Sequence, residues 1–547
     1  MELTPKGTVS RRDLLVGFLG LPILPLACRN KEPIRFDGGF VGPQPALGHK
    51  LRDGFLPAPN KEQIQTRDVV IVGGGIAGLS AAWRLHHGGM TDFLVVELDS
   101  ELGGTARGGK NGVSGYPLGA HYIPVPPAEN RSALRLLDEM GVTEGRTEWG
   151  AAKVREPFLI RAPQERLFIA GRYFDGLFPH AGATADDLEQ YRRFYAEVST
   201  WVAKKDERGR RAFVLPLSLA SDDPAVALLD RQSIAEWMDE RGLVSKRLRW
   251  YVDYACRDDY GTNLQNTSAW AAMLYFAGRV TAPGEESAEY ISWPEGNGRV
   301  AQHLATVIGN RNRTGVLVTD IVETDGKVHI HGWDANTEQP VGFVAKQVIV
   351  ATGVHIARHL IRRLREEKPA WCMAFDYSPW LVVNLTLRNR PTERGFGPAW
   401  DSVFYQSPSL GYVNATHQGL KDHGPTVWTW YYAMVENDPR SQRKRLLELD
   451  WRDCADIALT DIRRAHPNIT ELVDHVDVVR WGHAMVRPTP GFVFGTNRKE
   501  AHKPLGAIHL ANTDLSGIAL FEEAHDHGVR VAEQVLAGLG HTVETFR

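Results

Sequence analysis

The chain has 547 residues, more than one hydrophobic core serves, so two interleaved domains are the expected organisation. Its 43% hydrophobic and 24% charged content excludes a disordered or fibrous protein. A net charge of −3 removes the electrostatic basis for binding nucleic acid or an anionic membrane surface.

Paired arginines at Arg11-Arg12 precede an apolar run from Leu14 to Ala27. The run is shorter than the roughly 20 residues that span a bilayer, and Pro22 and Pro25 break a buried helix. It reads as a twin-arginine export signal over 1–28, handled by the twin-arginine export machinery. Leu24-Pro25-Leu26-Ala27-Cys28 resembles a bacterial lipobox, whose cysteine is lipidated after cleavage. The expected location is therefore exported, periplasmic or lipid-anchored to the cell envelope. Cys256, Cys372 and Cys454 are too widely spaced for a disulfide framework or a metal site, and are expected as buried thiols with one disulfide at most.

Residues 29–65 are rich in Pro, Gly and charge and read as an extended linker. The body begins at Arg67. Asp68-Val69-Val70-Ile71-Val72 has the pattern of a strand buried on both faces. Helical spacing follows from Ala77 to His87, then a second strand at Phe93-Leu94-Val95-Val96-Glu97, completing a βαβ unit. Asp186–Lys204 and Ser233–Asp253 read as helices. Strands follow at 315–318, 327–330 and 347–353. Alternation in 381–387 and 427–431 indicates antiparallel sheet. A strand at 507–511 and a helix from Phe521 to Leu539 end the chain.

Gly73-Gly74-Gly75-Ile76-Ala77-Gly78 carries the spacing Gly-x-Gly-x-x-Gly between the first strand and its helix. Gly73 permits a tight turn, Gly75 lets backbone approach a pyrophosphate, and Gly78 lets helix and strand pack closely. Ile76 and Ala77 open the helix, whose N–H groups would face the phosphates. Glu97 ends the next strand about 20 residues on, where a carboxylate can accept from ribose hydroxyls.

Glu97, followed after a short interval by Gly103-Gly104, resembles an extension found in the flavin amine oxidase and phytoene desaturase superfamily. That family usually has Arg or Lys next; here Thr105 stands there and Arg107 comes two residues later. Leu118-Gly119-Ala120-His121-Tyr122-Ile123 is similar to the family segment beside the flavin ring, and Trp293-Pro294-Glu295-Gly296 to its turn before a helix. Val318 falls in a strand resembling the one that reads adenine. Val350-Ala351-Thr352-Gly353, Asp514 and Ala524-His525-Asp526-His527-Gly528 resemble the segments that return to the cofactor. The resemblance implies FAD as cofactor and an α/β fold. A Rossmann-like FAD-binding domain (66–125, 294–365 and 495–547) would be interleaved with a mixed sheet-plus-helices substrate domain (126–293 and 366–494). It further implies that Leu98, Gly119, Ala120, His121 and Tyr122 contact the flavin nucleotide, with Ala524 and His525 at a flavin-facing helix start. Asn384–Asn389 and Arg480–His483 look most like bacterial spermidine dehydrogenases.

The activity implied by the resemblance is that of an FAD-dependent oxidoreductase taking a small-molecule amine or polyamine, with no metal. Export suits transfer of electrons to a membrane quinone or cytochrome. A desaturase-type flavoenzyme, or a flavin-binding protein without amine turnover, are the alternatives. Many amine oxidases place a lysine near the reactive ring nitrogen; strand pattern puts Asn384 there. Trp481 and His483 fall where the family builds a cavity wall, and His483 has the side-chain chemistry of an acid or base near neutral pH. Arg257-Asp258-Asp259-Tyr260 reads as a helix-end ion-pair cluster that could otherwise receive a cation. Trp428, Trp430, Tyr431 and Tyr432 read as either a packed sheet face or an amine cage.

Overall fold

A computed structural model describes residues 36–280, 289–419, 421–436 and 438–547; the paired arginines and Cys28 lie outside the described residues. In chain order the elements that build the site are β1 (Ile64–Val72), α1 (Ile76–His87), β2 (Phe93–Val96), α2 (Lys246–Tyr260), α3 (Gly298–Ile308), β3 (Val316–Thr324), β4 (Lys327–Asp334) and β5 (Gln339–Val350). They continue with α4 (Val354–Leu360), β6 (Tyr377–Leu387), β7 (Thr426–Ala433), β8 (Val473–Val486), β9 (Ile508–Leu510) and α5 (Phe521–Gly538).

The first sheet is organised by β1, which pairs in parallel with β2 (Val72 opposite Val96) and with β5 (Val72 opposite Val350). The first part of β5 pairs antiparallel with β4, and its last residues pair in parallel with β9. One strand therefore joins a three-stranded meander (β3, β4, β5) to the parallel core. The apolar run of β1 explains its central place. Val69 and Ile71 pack with residues of α1, α3 and α5 on one face, while Val70 and Val72 pack with β3 and α4 on the other. Each such fully buried side chain contributes roughly 1.5–3 kcal/mol. The helices α1 and α5 meet at Gly528, where a Cβ would stand 2.3 Å from the Ala77 carbonyl oxygen. Only glycine allows that approach.

The second sheet has eight strands, and β6 lies inside it, antiparallel to both β7 and β8. Asn384 is opposite Thr429 on one side and Asp477 on the other. Further across, Asp401–Phe404 runs parallel to Glu165–Ile169, with Asp401 opposite Glu165. A helical layer packs beside this sheet.

Three expectations change. The stretch 29–65 is not a free linker where it is described: Val41 N–H donates to the Val478 carbonyl (2.9 Å), Pro45–Arg52 is helical, and Leu47 and Leu51 pack into the cluster that holds Leu98 and Val318. The single helix expected over Ser233–Asp253 is two. Ile234–Glu240 is capped by Ser233 and Glu236, Gly242 adopts φ +62°, and Ser245 caps α2. A left-handed glycine followed by a fresh cap ends one helix and starts another. Cys256, Cys372 and Cys454 are buried and free, without the disulfide allowed for. Among the described residues no helix is long and apolar enough to cross a membrane, and no group of side chains could hold a metal ion.

Candidate active site

The glycine turn forms as its spacing dictates. Gly73 adopts φ +108°, and a Cβ on Gly78 would stand 1.9 Å from the Gly73 carbonyl oxygen. No side chain caps α1 at Gly75, so its first N–H groups stay open to an anion. The Glu97 carboxylate accepts from Gly74 N–H (2.6 Å) and Asp99 N–H (2.9 Å). Burial raises its pKa and those two amides lower it. Gly103 N–H donates to the Gly74 carbonyl (2.7 Å), which interlocks the two glycine segments. Arg107 does not reach outward. It is buried, donating to Asp99 (3.0 Å) and the Gly104 carbonyl (3.3 Å).

The far end of the chain closes on this turn. Asp514 accepts from Val354 N–H (2.6 Å) and the Tyr377 hydroxyl (2.6 Å), and Asn512 donates to the Thr352 carbonyl (2.8 Å). Ala351-Thr352-Gly353 is thereby clasped between β5 and the loop leading to α5. Burial pushes the Asp514 carboxyl up to about 6. The Thr352 hydroxyl is buried with no partner among the described residues. Two helix starts without side-chain caps (α1 and α5), the glycine cradle, the Glu97 carboxylate and the orphan Thr352 hydroxyl suit a dinucleotide.

Beside it lies a cavity. One wall is Gly119, Ala120, His121 and Tyr122; the facing wall is Trp380, Val382, Tyr431 and Trp481 from the second sheet. The Trp481 indole donates to the Leu118 carbonyl (2.7 Å) and the Tyr431 hydroxyl to the Gly119 carbonyl (2.8 Å), pinning one wall to the other. The His121 ring stacks on Tyr431 at 4.6 Å, and burial pushes its pKa down to about 4, so it is neutral at physiological pH.

The lining also carries four charged residues, Asp258, Asp259, Arg279 and Glu522. Arg279 pairs with Asp259, which also accepts from the Tyr122 hydroxyl (3.0 Å). Asp258 receives only a long bond from Tyr122 (3.4 Å), and Glu522 is 4% exposed with no basic partner among the described residues. Burial and the neighbouring Asp259 push the Asp258 carboxyl up, and burial pushes Glu522 up to about 7. One cation therefore faces three carboxyls. An arriving ammonium would relieve that imbalance, and the aromatic walls offer it cation–π contact.

Several sequence candidates sit elsewhere than expected. Asn384 lies one strand repeat beyond the cavity wall, with its side-chain oxygen accepting from Thr429 (2.7 Å). Trp380 and Val382 occupy the wall instead. Trp481 lines the cavity but His483 does not. The pairing of β6 with β8 shifts between Ser378 and Trp380, and this bulge re-aims the chain so that Ala484 faces the cavity. His483 stacks on His355 at 4.2 Å, and burial pushes its pKa down to about 4, unsuited to a base near neutrality. His525 faces α1, bonding to the Ser80 hydroxyl (2.9 Å), and His527 bonds to Ser516 (2.7 Å); neither lines the cavity. Ala524 packs in the same α1–α5 interface. Of the aromatic set only Tyr431 reaches the cavity, since Trp428 stacks on Tyr412 and Trp430 donates to Asp461. Glu522 and Arg279 escaped sequence reading because an acid in a first helical turn has an ordinary capping role, and nothing near Arg279 marks it as cavity-facing.

A family model described as flavin containing amine oxidoreductase matches residues 76–536. A Mycobacterium tuberculosis protein described as the putative flavin-containing monoamine oxidase AofH is 24% identical over 508 residues, covering 86% of this chain and 97% of that one. An L-amino acid dehydrogenase of Synechocystis is 26% identical over 297 residues, covering 53% of this chain and 56% of its own; the chain thus spans about half the length of that relative. The solved structure of wild-type putrescine oxidase bound to putrescine superposes with a TM-score of 0.62 at 15% identity, over 87% of this chain and all of that one (100%).

Proposed function

Because the chain belongs to the flavin-containing amine oxidoreductase family, we propose that it binds its substrate amine as a cation between Asp258 and Glu522, that one of these carboxylates takes up the ammonium proton, and that the neutral amine so formed is oxidised at the cavity wall formed by Gly119–Tyr122. The observation that carries this reading is the pair of carboxyls without basic partners in an aromatic cavity abutting the glycine cradle. The flavin, when bound, accepts a hydride equivalent from the carbon next to nitrogen. In this reading FAD is held by the Gly73–Gly78 turn, Glu97, the Gly103-Gly104 segment, Ala351–Gly353 and the Asp514 loop. The chain's own contribution is positional and electrostatic. Asp258 and Glu522 hold the charged group, Trp380, Val382 and Tyr431 exclude water, and Trp481 and Tyr431 fix the Leu118–Tyr122 segment through their hydrogen bonds.

Electron transfer to a membrane quinone or cytochrome belongs to the same proposal and is supported by the export signal read at Arg11-Arg12. Export through the twin-arginine route, after folding around FAD, belongs to the same proposal; it is carried by Arg11-Arg12 and the apolar run that comes after them. The similarity of Asn384–Asn389 and Arg480–His483 to spermidine dehydrogenases supports a polyamine as substrate.

The test is anaerobic titration of the purified holoprotein with amines, read by its visible spectrum. Bleaching by a diamine or polyamine is the expected result; a yellow protein that no amine bleaches would overturn the proposal. A second result is expected from pH. Burial pushes the Glu522 carboxyl up to about 7, and burial with Asp259 pushes the Asp258 carboxyl up as well, so both gain charge as pH rises through this range, while alkylammonium substrates stay protonated to about 10. The kcat/KM of the protein should rise through pH 7, and Glu522→Gln should reduce that rise to the part Asp258 contributes; an unchanged profile would remove Glu522 from substrate binding.

A further inference from the structure

We propose that a second cavity, bounded by the turns Leu217–Leu219 and Leu228–Arg231 and by residues 491–499, is a binding site for hydrogen phosphate, an oxyanion that still carries a proton. It shares no lining residue with the substrate cavity. Its volume is about 510 Å³, room for the ion with attendant water, and it continues into a smaller space of about 290 Å³ through Leu217, Arg498 and Lys499.

Three cations line it, Arg231, Arg498 and Lys499, and none has a carboxylate within ion-pair distance among the described residues. Arg231 and Lys499 are exposed, but Arg498 is buried. The Arg498 bonds go to neutral groups. Nε donates to the Val493 carbonyl and Nη1 to the Leu515 carbonyl (2.6 Å), with His502 at 3.3 Å, and no bond among the described residues uses Nη2. A buried guanidinium without an anion is unfavourable, and burial lowers this one to about 10.

Two carboxyls share the lining. Asp222 is already paired with Arg210. Asp230 is 1% exposed; its Oδ2 accepts from Phe494 N–H (2.9 Å), while Oδ1 is buried with no hydrogen-bond partner. The Ser268 hydroxyl is near but outside hydrogen-bond geometry. Arg498 stands too far off to pair with Asp230, yet its charge acts on that carboxyl. Burial pushes Asp230 up to about 6, so above that pH it is an anion with an unmet acceptor.

The gap between these groups suits an ion with two kinds of atom. Its oxygens would accept from Arg498, Lys499 and Arg231, and one hydroxyl would donate to Asp230 Oδ1. Hydrogen phosphate has both. Sulfate has acceptors only and would set an oxygen against the carboxylate. A phosphate monoester loses its last proton near about pH 6, so it lacks the donor too. Occupancy would also brace the start of α5, because Leu217 N–H donates to Glu523 (2.6 Å) and Ser516 lines the narrow end.

The experiment uses the holoprotein at about pH 8 and constant ionic strength, where Asp230 is ionised and inorganic phosphate keeps one proton. Inorganic phosphate, sulfate and phenyl phosphate are titrated by calorimetry, with thermal unfolding as a second readout. Phosphate is expected to bind at least ~10-fold more tightly than sulfate, with phenyl phosphate on the side of sulfate. Asp230→Asn, whose amide can donate to any oxyanion, should bring phosphate and sulfate within ~2-fold of each other. Lys499→Gln, an exposed change, should weaken phosphate by ~3-fold or more without lowering the melting temperature of the unliganded protein. Equal affinity for phosphate and sulfate in the parent protein, or binding of neither, would overturn the site, and this comparison needs no variant. Phenyl phosphate binding as tightly as phosphate, or discrimination unchanged in Asp230→Asn, would overturn the role of the proton.

Discussion

Gly75→Ala is expected to leave the fold intact and strip the protein of its flavin, whereas Gly78→Ala is expected to lower its thermal stability as well as lose the flavin. The contrast follows from what each new methyl would meet. At Gly75 the backbone has an ordinary negative φ of −73°, and the nearest atom to an added Cβ is the Gly104 Cα at 3.9 Å. The protein itself has room for that methyl. It projects between the two glycine segments, the space a pyrophosphate needs if α1 is to receive it on its open N–H groups. At Gly78 the added Cβ would stand 1.9 Å from the Gly73 carbonyl oxygen and 3.2 Å from the Ala351 Cβ. Both neighbours belong to backbone or a short rigid side chain, so α1 must shift off β1, at a cost on the order of 3 kcal/mol. Thermal unfolding and flavin absorbance, measured together, separate the cases. A Gly75→Ala protein that keeps its flavin would mean the cofactor does not pass between Gly75 and Gly104.

Glu97→Ala should lower flavin affinity by about 100-fold, since two hydroxyl bonds to a partly buried carboxylate are together worth roughly 3 kcal/mol. The same carboxylate also holds Gly74 N–H and Asp99 N–H, so the alanine variant loosens the turn as well as the ribose contact. Glu97→Gln distinguishes the two roles. Its amide oxygen can still accept from one backbone N–H, yet it lacks the charge that binds a diol well. Flavin release after dilution, followed by fluorescence, should be fast for alanine and intermediate for glutamine. Full retention by the alanine variant would remove Glu97 from the cofactor site.

What sequence could convey depended on how local the cause was. The β1–α1–β2 unit was legible because its glycines, apolar run and terminal carboxylate act within one stretch of chain. The strand alternation in β6 was legible too, but the end of the cavity was not: Val382 and Asn384 share a face, and only the pairing of Asn384 with Thr429 shows where the wall stops. His483 was misplaced because a bulge changes the side that a residue faces without leaving a mark in the periodicity. The helix at Pro45–Arg52 was hidden in composition typical of a linker; it is stable because Leu47 and Leu51 find a surface contributed by residues far along the chain. Glu522 shows the same limit. Its sequence context is a helix start, and its isolation from any base is a property of the assembled cavity.

The meeting of α1 with α5 at Gly528 has a consequence in time as well as space. The glycine turn leaves the ribosome more than 400 residues before the helix that backs it and the loop that clasps Thr352 and Gly353. A nascent chain therefore carries the dinucleotide motif long before it has a pocket. The cofactor site comes into being only once α5 has been made, and any product that stops short of α5 would have the motif without the means to hold its ligand.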